Sequence, residues 1–264
     1  MSEYALLLAT WSRFEVREIA RQVADVTGRT GLDAARQLHL GRGLLADRLP
    51  LVWAQQLGAR LATDGLATFA VPDSELLAAV RPYRVTIGRP LDEGFEIEDQ
   101  LQRKRVEPWG GLRVLAGAVL EVELAEAVQR ERRQTLSGAW APEAEAGAGW
   151  TRAQRDEQKE DHPIIDLAFG ETAPRCYRIE AGHFNYQYLA ADGRLTLRRD
   201  ANFRLLLADL IARAPAACWA TAATRAMAAG EIREEAVVSE VRLLDAELRW
   251  RCQRLRALGP PDGG

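Results

Sequence analysis

Glycines divide the first 72 residues into short apolar segments, and this division limits the possible folds more than any other feature of the sequence. Three segments have apolar residues at helical spacing and run into a glycine: Phe14 to Val26 before Gly28, Leu32 to Leu40 before Gly41, and Ala54 to Thr63 before Gly65. A glycine directly after an apolar helical pattern is typical of a helix C-terminus. The region must therefore fold as several short elements packed together.

Short β-type runs separate these predicted helices: Tyr4 to Thr10, Leu49 to Leu51, and Ala67 to Val71. The resulting order is strand, helix, helix, strand, helix, strand over about 70 residues, after which Pro72 ends the pattern. We predict a small α/β module at residues 1–78, with a helical stretch from Ser74 to Val80 that leads into the next module.

The residues from Arg17 to Leu38 and from Leu49 to Val71 resemble the C-terminal domain of the bacterial ribosomal stalk protein, a fold shared by the Clp protease adaptor. The resemblance covers a little over a quarter of the chain. It implies the fold and a helical face that meets a protein partner. The stalk family uses lysines on its short helices for this contact. Here Arg36 is the basic residue at such a position, and Asp33 stands where lysine is usual.

Residues 79–258 are predicted to form a second module of closely spaced strands with helices at its C-terminal end. Tyr83 to Ile87, Phe95 with Ile97, Val106 with Trp109, and Leu112 to Leu124 have β-type patterning interrupted by turns. The stretch from Glu93 to Leu115 resembles the early strands of a bacterial pleckstrin-homology-like barrel. The predicted class of the whole chain is thus α+β, a stalk-like α/β module followed by a split antiparallel β-barrel-like module.

A charged, alanine-rich tract interrupts the second module at about residues 130–162, where we predict a loop or disordered insertion. Strand patterning resumes at Ile164 to Phe169 and at Cys176 to Ile179. Helices are predicted at Asn202 to Ala212, with Asn202 as the N-cap, at Trp219 to Ala229, and at the end of Val237 to Leu258. Residues 259–264 form a predicted flexible tail.

Composition excludes several function classes. The 264 residues carry a formal net charge of −3, and arginines alternate with acidic residues along most segments, which speaks against a nucleic-acid partner. No apolar stretch approaches the roughly 20 residues of a membrane helix, and no signal peptide is predicted. The 3 cysteines are widely spaced without a CxxC motif, which favours a reducing compartment, and we predict a cytoplasmic location.

No catalytic, metal or cofactor site is predicted. Cys176, His183 and Asp166 are the minimum set for a nucleophilic site, but Cys176 lies in a predicted strand, where core packing is the stronger interpretation. His162, Cys176 and His183 lack the close spacing of zinc ligands. The turns at Gly110-Gly111 and Gly41 to Gly43 match no phosphate-binding motif.

A surface for a partner is the remaining candidate site. The basic run Arg103-Lys104-Arg105 beside Trp109 is suited to an anionic headgroup or an acidic peptide, although a solvated hairpin is the simpler interpretation. The full candidate set is Arg36, Arg103, Lys104, Arg105, Trp109, His183 and Tyr186. Trp109, Trp219 and Trp250 are also expected as core anchors.

The sequence favours a non-enzymatic protein: a scaffold or adaptor that binds a protein partner through module surfaces. An alternative is a small-ligand binder or enzyme with its site at the module boundary near Trp109 and His183. A third hypothesis is a structural protein that self-assembles into a homo-oligomer through its C-terminal helices.

Overall fold

A computed structural model of the protein describes residues 2–11, 14–98, 103–123 and 159–261. Residues 130–158 of the predicted insertion lie outside the described residues. Its last residues are not a loop, because a strand already begins at Lys159, which pairs with Glu123 of the preceding strand. Within the described ranges, no helix combines the length and apolarity needed to cross a membrane.

The first module has the predicted order of elements: β1 (Glu3–Leu8), α1 (Val16–Thr27), α2 (Gly31–Gly41), β2 (Leu44–Pro50), α3 (Leu51–Thr63) and β3 (Thr68–Pro72). The strands form an antiparallel sheet in the order β2-β1-β3. Helix α1 ends as predicted, since Gly28 has a left-handed backbone and its N–H donates to the carbonyl of Ala24. Helix α3 begins earlier than expected, directly after Pro50.

The second module contains the remaining elements: β4 (Tyr83–Arg84), β5 (Ile87–Pro90), β6 (Gly94–Glu98), β7 (Lys104–Pro108), β8 (Leu112–Glu123), β9 (Lys159–Phe169), β10 (Arg175–Glu180), α4 (Tyr188–Ala191), α5 (Arg199–Arg213), β11 (Trp219–Ala220), α6 (Ala222–Ala229), β12 (Val237–Val238) and α7 (Val241–Leu258). The chain is therefore α+β, as predicted.

The strands of the second module form two sheets. The larger has the order β11-β8-β9-β10-β4 with β12 also on β8, and the smaller has the order β5-β6-β7. Three short strands are parallel to their partners in the larger sheet: β4 pairs with β10, and β11 and β12 pair with β8. The prediction of an antiparallel module did not include these parallel pairs. Phe95 and Ile97 of the small sheet share one buried core with Tyr177 and Ile179 of the large sheet and with Phe203 of α5.

The prediction of a helix from Ser74 to Val80 is wrong. Only a short 3₁₀ turn forms, at Asp73–Glu75. The physical reason is distant in sequence: the N–H of Leu77 donates to Gln253 of α7 at 2.8 Å, and the carbonyl of Leu77 accepts from Arg249 at 2.6 Å. These side chains take the two backbone groups that a helix would have used internally.

Two further predictions in the C-terminal half need correction. Trp219 was expected in a helix, but Trp219 and Ala220 pair with β8, and α6 begins after Thr221, whose side chain caps it. Asn202 was expected to cap its helix. It lies instead inside the first turn of α5, and its side chain bonds both backbone groups of Thr196.

Helix α7 joins the two modules through Trp250. The indole Nε1 donates to the carbonyl of Leu8 at the end of β1, over 2.8 Å. Gly43 lies against the same indole with φ +102°, and a Cβ there would lie 2.5 Å from Trp250 Cγ. Trp219 and Trp250 belong to the same buried cluster as the core of the first module. Both tryptophans are thus core anchors, as predicted, at the contact between modules.

Strand β1 is consequently buried on both of its faces. Leu6 packs against α3: a Cβ atom placed on Gly58 of that helix would lie 3.7 Å from Leu6 Cδ1. Leu7 points to the other side and lines a small cavity together with Trp250. Successive strand residues face opposite sides of a sheet, so α3 covers one face of β1 and α7 covers the other.

We predict that Trp250→Ala lowers the free energy of unfolding by about 3–5 kcal/mol, because a large buried side chain and its hydrogen bond are both lost. Trp53→Ala is the matched control, since Trp53 is 43% exposed on α3, and a surface change costs at most about 0.5 kcal/mol. Urea unfolding followed by far-UV circular dichroism measures both. Equal losses in the two variants would contradict the position assigned to Trp250.

Candidate anion-binding cavity

A cavity of about 550 Å³ opens where strand β7 of the small sheet faces the start of β10 in the large sheet. Five cationic side chains line it: Arg81, Arg103, Lys104, Arg105 and Arg175. The lining found among the described residues contains no acidic side chain. Positive charge is therefore concentrated at one opening, although the chain as a whole carries a net charge of −3.

A buried carboxylate organises the wall of this cavity. Glu107 is only 1% exposed. Arg175 donates to it through Nε at 2.9 Å and through Nη2 at 2.5 Å, and the hydroxyl of Tyr177 donates to it at 2.5 Å. Arg105 donates in turn to the Tyr177 oxygen at 3.1 Å. This network bridges the two sheets, because Glu107 belongs to β7 and Tyr177 to β10.

The network holds each member in one protonation state. Burial raises the pKa of Glu107, but hydrogen bonds from Arg175 and Tyr177 lower it by more, so it lies below its ordinary value. The pKa of Tyr177 is raised, first by burial and then by its hydrogen bond to Glu107. At neutral pH the carboxylate is ionised and the phenol is protonated. Both groups are already engaged with each other, so they serve as a frame for the surrounding cations.

The rim of the cavity combines charge with an aromatic surface. Tyr83 is 44% exposed, and its ring meets the ring of Tyr177 edge-on, with centroids 6.5 Å apart. Arg81 is exposed, and Lys104 keeps a long ion pair of 3.7 Å with Glu96 on the outer face of the small sheet. Carboxylates and phosphates are the groups that such a rim is suited to bind.

Some of the residues selected from sequence meet in this cavity and others do not. Arg103, Lys104 and Arg105 line it. Trp109 does not, because its indole donates to the carbonyl of Leu91 at 2.8 Å and its ring packs against Phe95 in the core. The prediction of Trp109 as part of the interaction surface is therefore wrong, whereas its prediction as a core anchor is confirmed.

His183, Tyr186 and Arg36 lie elsewhere. His183 is in the turn after β10, with Nδ1 3.1 Å from a carboxylate oxygen of Glu180. The hydroxyl of Tyr186 donates to the carbonyl of Ala181, and Tyr186 is buried in the core of the second module. Arg36 is exposed on α2 of the first module. The candidate set therefore does not form one surface.

The structure does not bring Trp109 to the boundary between the modules, where a ligand site near Trp109 and His183 was predicted. Trp109 belongs to a core built from second-module residues alone. The contact between modules is made instead by Trp219 and Trp250. The physical reason is the long return of the chain, which brings α7 back against β1 after the strands of the second module are complete.

The nucleophilic set of Cys176, His183 and Asp166 is not assembled. Asp166 is buried and accepts two hydrogen bonds from Arg178, both at 2.7 Å. Cys176 makes a weak contact of 3.8 Å to the carbonyl of Pro174, and His183 pairs with Glu180. Among the described residues, no group of three potential ligands is arranged to hold a metal ion.

Most residues that line the cavity are not evident from the sequence. Arg81, Tyr83, Arg175 and Tyr177 were not selected, and neither was Glu107. One signal was present: Arg105 and Glu107 are two residues apart in a strand and therefore share a face. Their partners on β10 are 68 residues and more away in sequence, so only the tertiary fold reveals them.

Comparison of the chain with protein-family models, with curated proteins and with solved structures gives no match. The function must therefore be argued from the cavity itself.

We predict that Glu107→Gln loses stability at neutral pH, and that the loss shrinks in acid. In the unfolded chain a glutamate binds its proton near pH 4.3, as an approximate ordinary value, whereas Glu107 in the folded chain does so at lower pH. Its stabilisation is present above the unfolded pKa and is lost as the pH falls through the folded pKa.

Urea unfolding of wild type and Glu107→Gln at several pH values between about 7 and 3 measures this difference. Glu18→Gln, which removes one exposed carboxylate from α1, controls for the change in net charge. A wild-type minus Glu107→Gln difference that stayed constant over the whole range would contradict the assigned network.

We also predict that the three thiols of the folded protein are unreactive. Cys176, Cys218 and Cys252 are all buried. Burial raises the pKa of Cys218 to about 12, and the neighbouring Cys176 thiol and burial raise that of Cys252. A thiol-specific disulfide reagent at pH 8 should label three cysteines in denaturant and none rapidly in the native protein. Native labelling at the rate of free cysteine would revive the nucleophile hypothesis.

Proposed function

We propose that the protein is a non-enzymatic binding protein that holds an anionic group of a partner in the cavity between β7 and β10. The observation that carries this proposal is the convergence of five cationic side chains on one opening. An isolated surface arginine is ordinary, but five cations around one concave site outnumber the described carboxylates that pair with them, Glu107 and Glu96, and the remaining positive field raises the local concentration of an anion.

The interior of the cavity supports binding better than acid–base catalysis. A general base needs an electron pair available to a reacting group. The carboxylate of Glu107 is already engaged by Arg175 and Tyr177. Because this frame is formed before any ligand arrives, the cations next to it lose little conformational entropy on binding.

The first module supports an adaptor role. Its similarity to a stalk C-terminal domain stays a prediction, and on that basis we propose that its helices present a second protein-binding face, with Arg36 exposed on α2. In this proposal the first module selects one partner and the cavity of the second module holds the anionic partner. The widely spaced cysteines support a reducing compartment, so the proposed location is cytoplasmic.

A second candidate function is the binding of a small anionic molecule. The observation in its favour is the cavity volume of about 550 Å³, which lies within the typical range of about 300–1,000 Å³ for small-ligand sites. Tyr83 at the rim would then supply an aromatic surface for the uncharged part of the molecule. The two candidates share the same cations but differ in how much of the ligand lies outside the cavity.

Isothermal titration of the purified protein with hexaglutamate and with citrate tests both candidates. We predict binding that weakens with salt, because the cations are exposed and screened. Arg81→Glu should weaken it at least about tenfold, equivalent to about 1.4 kcal/mol. Arg21→Glu, the same charge change on the exposed side of α1, should leave it unchanged.

Binding of hexaglutamate alone would favour the protein-partner function, and binding of citrate alone would favour the small-ligand function. Absence of binding by both anions, or equal effects of Arg81→Glu and Arg21→Glu, would overturn the proposal.

A further inference from the structure

Strand β7 is the edge of the small sheet. Across the described part of the chain it pairs with β6 and with no other strand. Lys104, Arg105 and Val106 are exposed along it. An edge strand presents a row of backbone N–H and C=O groups that can pair with another extended chain. Pro108 has no N–H and limits such pairing at the far end of β7.

The side chains of β7 separate into two faces. Arg105 and Glu107 lie on the face toward β10, where both contact Tyr177, and Arg105 also lines the cavity. Lys104 and Val106 occupy the alternate positions of the strand, and Lys104 pairs with Glu96 on the outer side while its side chain also lies at the mouth of the cavity. An extended chain placed beside β7 would therefore meet Arg105 on the cavity side and Lys104 on the outer side.

We propose that the anionic partner is an extended acidic polypeptide segment that adds to the small sheet as a fourth strand beside β7. This inference rests on the function proposed above and names its ligand. Cross-strand neighbours on one face lie about 4.5–5.5 Å apart between Cβ atoms, within reach of an ion pair. The segment carries acidic residues opposite Arg103, Lys104 and Arg105, and an apolar residue opposite Val106.

The charges on β7 discriminate between possible occupants of this edge. A second copy pairing β7 with β7 in parallel would bring its Lys104 and Arg105 close to the same cations of the first copy. An antiparallel copy centred on Val106 would place Pro108, which has no N–H for the ladder, opposite Lys104. Like charges on paired strands are destabilising, and lysine on an edge strand is a common protection against self-pairing. An acidic strand meets the same edge with complementary charge, so main-chain hydrogen bonds and ion pairs form together.

The experiment uses the full-length protein and capped heptapeptides with the central sequence Glu-Glu-Glu-Val, made in both chain directions. Two further versions carry N-methyl groups on alternate residues, which removes backbone donors on one edge of the peptide but keeps every charge. Affinity is measured by isothermal titration, and hydrogen–deuterium exchange reports on the segment Lys104–Pro108. We expect one unmethylated peptide to bind, one of its methylated versions to bind at least tenfold more weakly, and exchange in β7 to slow on binding.

A matched pair of variants tests the edge from the side of the protein. Val106→Glu places a negative charge on β7, whereas Val52→Glu makes the same change at an exposed position of α3. Val106→Glu should weaken peptide binding at least tenfold, and Val52→Glu should change it less than twofold. Comparable effects of the two substitutions would overturn the inference.

The outcomes separate this inference from the proposed function. If all methylated peptides bind as tightly as the unmethylated ones, strand addition is wrong while anion binding stands. If citrate binds and no peptide does, the ligand is a small anion and the inference falls. If neither binds, both proposals fall. A dimer that protects β7 from exchange without any peptide would identify a second copy as the occupant and overturn the acidic segment.

Discussion

The contact between the two modules is centred on the indole of Trp250. Trp250 donates to the carbonyl of Leu8, lies against Gly43 and shares its buried cluster with the whole core of the first module. The same helix also pairs Asp245 with Arg178 of β10 at 2.8 Å. One helix therefore contacts the sheets of both modules, and the strand that supplies Arg175 and Tyr177 to the cavity is anchored from behind. The strand that carries Arg175 and Tyr177 is thus held on its other face by an ion pair with α7.

The cavity depends on a carboxylate that no ligand needs to touch. Without Glu107, Arg175 and Tyr177 would lose the shared acceptor that orients them between the two sheets. This also explains which part of the site could be predicted. The run from Arg103 to Arg105 is visible as consecutive letters, whereas Arg175 and Tyr177 join it only through the packing of one sheet on another. Periodicity assigns residues to a face but does not identify what lies opposite.

The fold shows the same division between local and distant causes. The order of elements in the first module was predictable because helical spacing and terminal glycines act within a few residues of each other. The segment from Ser74 to Val80 has an equally helical pattern, yet Gln253 takes the backbone N–H of Leu77 from 176 residues away. Trp219 likewise has helix-compatible neighbours and pairs instead with β8. Local propensity is overridden where a remote partner offers a backbone group a competing bond.

The pairing of Glu123 with Lys159 has a consequence for the evolution of this chain. These two residues, which bound the sequence between β8 and β9, lie directly opposite each other in the ladder. The entropy of closing a loop grows only slowly with its length. Because the ladder itself holds Glu123 opposite Lys159, a change in the length of the sequence that joins them is expected to leave the register of β8 on β9 unchanged. The sheet has an insertion point at the end of β8 opposite the start of β9, where new sequence can be gained while the cavity keeps its geometry.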